Sequence, residues 1–195
     1  MMADNMANVS QAGKAQTILI VGDSISAAYG IQRQLSWSHL LGVKLTQEKM
    51  FYQVINASIS GDTTINGLNR FKPLLDKYQP EIVIIELGGN DGLRGLSTRQ
   101  MKRNLKQMVE LSQQRNAKVL LAGMKIPPNY GKRYTQAFYQ VYTDISVEHS
   151  VELIPFLLQG IGGVAELMQD DGIHPNEKAQ PIILDIVWKK LQLML

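Results

Sequence analysis

The 195 residues suffice for one globular domain with a sizeable core, and with 45% of them apolar the composition argues against disorder. Twenty lysines and arginines face 17 aspartates and glutamates, and the resulting net charge of +3 is too small to argue for nucleic acid. No cysteine is present, so disulfides, thiolate metal sites and cysteine nucleophiles are excluded, while the compartment stays open.

Residues 1–16 are polar and small with no apolar h-region, so they read as a tail without a visible signal peptide. An exported chain lacking its leader would look the same. Residues 17–195 read as a single domain, and no apolar run approaches the ~20 residues of a membrane helix. Thr17 to Gly22 predicts a buried strand, and a helix carrying Trp37, Leu40, Leu41 and Leu45 follows it. Tyr52 to Ala57 predicts a second strand, then a helix with Leu68, Phe71, Leu74 and Leu75. Glu81 to Leu87 is a β-branched run between Pro80 and a pair of glycines, the clearest strand of the chain.

Thr98 to Arg115 predicts a helix with Thr98 as its cap. Its cluster of Arg99, Lys102, Arg103 and Lys106 reads as a solvated face opposite the stripe of Met101, Leu105 and Met108. Lys118 to Met124 predicts a fourth strand, Lys132 to Glu148 a helix, and Val151 to Ile154 a short fifth strand. A last helix carries Ile182, Ile183, Ile186, Val187 and Leu191, and Pro181 requires it to start late or bend. Strands alternating with helices of this length imply an α/β fold, a mostly parallel sheet covered on both faces. Ligands of such folds bind at the carboxyl ends of the strands, so site residues should fall just after strands.

Four segments meet that test. Ser24 directly follows the first strand in Gly22-Asp23-Ser24, where Gly22 lets the backbone turn without a Cβ clash. A serine there is a nucleophile if a base adjoins it, and otherwise a helix cap. Of the three histidines, His39 lies within a helix and His149 near a helix end. His174 lies in a loop, three residues after Asp171, so one turn could bring carboxylate and imidazole together and fix the tautomer. The alternative is a turn at Asp171 and a cap at His174 before Pro175. Gly61 follows the second strand and can bring a backbone N–H close to a ligand. Asn90 follows the third and can donate its amide to an oxyanion, as could the N–H of Ser24. Each taken singly also reads as turn chemistry. The segment from Gly92 to Ser97, with glycines at 92 and 95, is either an adaptable loop over the site or a rigid connector. Gly92, Leu93, Leu96 and Ile173 are the substrate-binding candidates.

The order Ser24, Gly61, Asn90, Asp171-x-x-His174 resembles the SGNH (GDSL) hydrolases over nearly all of Ile18 to Leu191. The stretches Asn56 to Thr63, Glu86 to Gly95, Pro128 to Gly131 and Met168 to Pro175 look like the bacterial acyl-CoA thioesterase, arylesterase and lysophospholipase group. The resemblance implies a flavodoxin-like α/β/α sandwich with a five-stranded sheet. It implies a Ser24-His174-Asp171 triad, an oxyanion hole of Ser24, Gly61 and Asn90, and an acyl-enzyme. No metal or organic cofactor is implied. The resemblance further implies small acyl esters, thioesters or lysophospholipids as partners, a monomer, and a periplasmic or secreted location, with a cytoplasmic one as the alternative. The chain lacks a Gly-x-Ser-x-Gly elbow, which separates it from ordinary α/β-hydrolases. Rival readings are a carbohydrate deacetylase and a non-catalytic flavodoxin-like binding module, although the first-strand loop lacks Gly-x-Gly-x-x-Gly.

Overall fold

A computed structural model describes residues 15–195. Five parallel strands form one sheet: β1 (Gln16–Gly22), β2 (Tyr52–Asn56), β3 (Ile82–Glu86), β4 (Lys118–Ala122) and β5 (Glu152–Ile154), in the order β2-β1-β3-β4-β5. That is the flavodoxin-like order, and it puts the point where the winding reverses between β1 and β3. β1, β3 and β4 are the interior strands of the sheet, and Ile18 to Val21 of β1 and Ile82 to Ile85 of β3 are fully buried. Their continuous apolar runs follow from burial on both faces, whereas edge strand β2 is only partly covered.

Among the described residues six α-helices flank the sheet: α1 (Trp37–Gln47), α2 (Thr64–Tyr78), the short α3 (Gly89–Leu93), α4 (Thr98–Gln113), α5 (Lys132–His149) and α6 (Gln180–Leu191). α1 packs with α6, while α4 packs between α2 and α5. None of the helices among the described residues is long and apolar enough to cross a membrane.

The expected elements are all present, with small shifts. β1 starts at Gln16, inside the stretch expected to be tail, and residues 1–14 of that stretch lie outside the described residues. Ser97 rather than Thr98 caps α4, its hydroxyl accepting from the N–H of Gln100. Pro181 falls in the first turn of α6, where its missing N–H has no intrahelical partner to lose, so the helix starts just before it. Met101, Leu105 and Met108 are buried as the stripe predicts. Lys102, on the opposite face, is not simply solvated: it bridges to Asp144 at 3.0 Å and Glu148 at 2.6 Å on α5.

Candidate active site

The register of the sheet brings the site together. Gly22 pairs with Glu86, so β1 and β3 end side by side at the reversal point. The chain leaving β1 carries Ser24 and the chain leaving β3 carries Asn90, in the first turn of α3. Gly22 is required here for a close approach: a Cβ would lie 2.6 Å from Oε2 of Glu86 and 2.9 Å from the Ser26 side chain. The demand for glycine therefore comes from the packed carboxyl of Glu86 rather than from the sharp turn expected from sequence.

Ser24 caps no helix. Its Oγ lies 2.9 Å from Nε2 of His174, which arrives from a loop 150 residues later. The same imidazole presents Nδ1 to Oδ2 of Asp171 at 2.6 Å. With the proton on Nδ1, the ring donates to Asp171 and leaves Nε2 as acceptor for the Ser24 hydroxyl. The other oxygen of Asp171 accepts from the N–H groups of Ile173 at 2.9 Å and His174 at 3.0 Å. Burial raises the Asp171 carboxyl, but the His174 N–H, the imidazole and the Ile173 N–H outweigh it and bring it down to about 2. Asp171 thus stays an anion that can stabilise a positive imidazole. The nearest helical cap is made by Asn176, which accepts from the N–H of Lys178, so His174 is free of that duty.

Two features hold the histidine loop against the serine loop. The Tyr29 ring packs on the His174 ring with centroids 4.6 Å apart. Gln169 Nε2 donates to the carbonyl of Tyr29 at 2.8 Å and to that of Pro175 at 3.1 Å.

Gly61 follows β2 with φ of +84°, a left-handed conformation that favours glycine. Its carbonyl accepts from Arg94 Nη2 at 2.9 Å. The next carbonyl, Asp62, accepts from Asn90 Nδ2 at 3.1 Å, and the Asp62 carboxylate pairs with Arg70 at 2.8 Å. The peptide around Gly61 is thereby fixed from three sides. The backbone N–H groups of Ser24 and Gly61 have no protein acceptor among the described residues, the condition a donor needs if it is to meet an incoming oxyanion. The second contact of Asn90 Nδ2 is Oδ2 of Asp23, at 3.2 Å.

A cavity of about 390 Å³ opens beside Ser24. Ser24, Asn90 and His174 line one side; Ile25, Leu93, Met124, Ile126, Phe156, Leu158, Met168 and Ile173 make the rest largely apolar. Of the substrate-binding candidates, Leu93 and Ile173 line this cavity, and Gly92 and Leu96 do not. Gly92 lies inside α3, where a Cβ would meet Ile126 at 2.5 Å and Phe138 at 2.6 Å. The Gly92–Ser97 segment is tied by two tyrosines: Tyr130 donates to the carbonyl of Leu93 and Tyr134 to that of Leu96, each at 2.7 Å.

Sequence reasoning missed the residues that only the fold assembles. Tyr29 carries no spacing that announces a contact with His174, and the cavity wall from β4 and β5 gives only apolar runs. Glu86 left a trace, as the one charged residue within β3. It is fully buried, and so is almost all of Asp23.

The GDSL-like lipase/acylhydrolase family model matches residues 20–181. Over 187 residues the chain is 49% identical to the Pseudomonas aeruginosa protein named Esterase TesA, covering 96% of this chain and 93% of that protein. It is 44% identical over 182 residues to the Escherichia coli protein named Thioesterase 1/protease 1/lysophospholipase L1, covering 93% of this chain and 86% of that one. In three dimensions it is similar to the psychrotrophic esterase EstA from Pseudoalteromonas, solved in a form inhibited by monoethylphosphonate. That match has a TM-score of 0.88 at 45% identity and covers 91% of this chain and 97% of that one.

Proposed function

The chain belongs to the GDSL-like lipase/acylhydrolase family, and from that premise we propose that Ser24, His174 and Asp171 form its catalytic triad. It is a serine esterase that hydrolyses carboxylic esters and thioesters. The observation that carries the triad is the unbroken line of contacts from Ser24 Oγ to His174 Nε2 and from His174 Nδ1 to Asp171.

In the reaction, Ser24 Oγ attacks the acyl carbonyl while His174 Nε2 takes its proton. Asp171 holds the resulting imidazolium. The oxyanion is met by the Ser24 N–H, the Gly61 N–H and the Asn90 amide. His174 then returns the proton to the leaving alcohol or thiol, and an acyl-Ser24 ester remains. Water attacks that ester with His174 again as base, releasing the acid and restoring the Ser24 hydroxyl. The apolar cavity beside Ser24 favours an acyl chain over an acetylated sugar, and so supports aryl esters, acyl-CoA and lysophospholipids as substrates. Every proposed group comes from this one chain, within residues 17–195, which supports a monomer as the working unit. Family resemblance supports a periplasmic or secreted location.

A fluorophosphonate tests the triad. It should modify Ser24 alone, as read by intact mass and peptide mapping, because that serine has a base in reach. Labelling of Ser24→Ala as fast as the parent would remove Ser24 from the chemistry. A panel of short and long acyl esters, acyl-CoA, lysophospholipid and acetylated sugar then separates the substrate classes.

A further inference from the structure

The mechanism leaves two buried acids beneath Ser24 unused. Glu86, the last residue of β3, is fully buried. Its Oε2 accepts from the Ser26 hydroxyl at 2.7 Å and from the Asp23 N–H at 3.3 Å. Its Oε1 is buried and has no hydrogen-bond partner among the described residues. The neighbouring acid is Asp23, 2% exposed. Asp23 Oδ1 accepts from the N–H of Ile25 at 3.1 Å, and Oδ2 accepts from Asn90 Nδ2 at 3.2 Å.

Two adjoining carboxylates shut away from water cannot both hold their charge, because repulsion and lost hydration act together. One proton in the pair removes both problems, and the donors decide where it rests. Asp23 has a donor for each oxygen, which suits an anion. No donor among the described residues reaches Oε1 of Glu86, so an ionised Glu86 would leave it bare, whereas a proton on that carboxyl can be given to the adjoining Asp23 carboxylate.

We propose that Glu86 is a positioning residue: protonated, it donates a hydrogen bond to Asp23, and the Asp23 anion in turn sets the Ser24 turn and the Asn90 amide. The proposal rests on the reading that Ser24 and Asn90 carry the chemistry. It makes the two elements that leave the sheet at the reversal point into one unit, since the acid of β3 governs the backbone that follows β1.

The surrounding groups agree with a single proton. Burial, and then the charge of Asp23, push Glu86 well above the usual carboxyl range. Burial raises Asp23 too, but the Ile25 N–H, His174, Asn90 and Glu86 hold it to about 6. Apart from the pull of His174 on Asp23, the titratable and charged neighbours among the described residues are engaged elsewhere. From α5, Tyr142 donates to the carbonyl of Leu87 at 3.0 Å. Asp91 on α3 is taken up by the N–H and hydroxyl of Thr64 at 2.8 and 2.6 Å. Arg70 on α2 is paired with Asp62. From the loop before α6, His174 is engaged with Ser24 and Asp171.

The test reads the proton and the rate separately. The infrared difference spectrum of the parent minus Glu86→Gln, at neutral pH, should contain the carbonyl band of a protonated carboxyl group. Glutamine keeps a neutral donor, so Glu86→Gln should lose less than about threefold in kcat, whereas Glu86→Leu should lose about tenfold or more with KM nearly constant. No carboxyl band, or a Glu86→Gln loss as large as about tenfold, overturns the assignment even if Glu86→Leu fails to fold. Fluorophosphonate labelling of the parent keeps the two readings apart. If Ser24 labels but the band is missing, only the role of Glu86 falls; if Ser24 does not label, the triad falls and the positioning role with it.

Discussion

The ring of Tyr29 lies against the imidazole of His174, with centroids 4.6 Å apart and planes tilted by 40°. The contact joins the turn that carries the proposed nucleophile, Ser24, to the loop that carries the proposed base, on the side where Gln169 also ties the two. Tyr29 makes it with its ring while half of the residue stays exposed. An aromatic pair of this kind contributes about 0.5–1.5 kcal/mol, so Tyr29→Ala should lower kcat roughly two- to tenfold through a less well-placed base. Tyr29→Phe keeps the ring and should stay near the parent. Steady-state kinetics on a short acyl ester decide it, and equal losses in both variants would show that the hydroxyl, not the ring, matters.

The cavity makes a distinction inside the segment that follows Asn90. Leu93 lines the apolar cavity, whereas Leu96 does not line it and its carbonyl is held by Tyr134. Leu93→Ala should therefore change the ratio of long-chain to short-chain kcat/KM more than Leu96→Ala does. An order-of-magnitude figure for losing one large apolar contact is about 1–3 kcal/mol, or roughly ten- to two-hundredfold on the long-chain substrate. Equal changes in the two variants would indicate that the segment acts on the site as a whole.

These contrasts mark how far the sequence carries. The periodicities locate all five strands and the major helices because burial on both faces of β1 and β3 leaves continuous apolar runs, and amphipathic helices leave stripes. The four segments with site candidates fall after strands because parallel α/β sheets offer their loops there. The partner of a residue is another matter. That Ser24 meets His174 depends on the path of 150 residues, and only the motif order suggested it. Glu86 shows the limit from the other side. Glu86 is legible in the sequence only as a charged residue of the third strand, and it takes the Gly22 register to show that it packs against Asp23. The cap of α4 slipped by one residue, from Thr98 to Ser97, because serine and threonine offer the same hydroxyl and only the local backbone selects between them.

Asp23 carries a pH signature of its own. Its carboxyl stands at about 6 in the fold against an ordinary 3.8, chiefly because burial penalises the anion. The folded state therefore holds this proton more tightly than the unfolded chain does. Stability from this group falls as pH rises from about 4 to about 6, and above that the full cost of the buried anion is present. Asp23→Asn removes the charge. Relative to the parent, its Tm should be higher above pH 6, with the difference shrinking toward pH 4. Activity should fall, because the Asn90 amide loses its anionic partner. Calorimetry across that range is the check, and a Tm difference independent of pH would refute the account.

Asn90 is where geometry and chemistry make the sharpest demand. Both of its contacts through Nδ2 are long, 3.2 Å to Asp23 and 3.1 Å to the Asp62 carbonyl. An amide so held is oriented before substrate arrives, yet neither bond is strong enough to keep it from a better acceptor. A developing oxyanion is such an acceptor, so the interaction gains in the transition state more than in the bound substrate. Loss of one donor of this type costs on the order of 10²–10³ in kcat. Asn90→Ala should show that loss with KM little changed, and Ser24 should still react slowly with a phosphonate. Asn90→Asp should be at least as damaging, since it sets a second carboxylate beside Asp23 and beside the oxyanion. The competing role is structural, because the same amide ties the β2 and β3 loops through Asp62. That role predicts a lower Tm together with a loss of kcat that recovers when the protein is assayed well below its melting range. Measuring kcat, KM and Tm on one preparation of Asn90→Ala separates the two. A well-folded variant with near-parental kcat would take Asn90 out of the site.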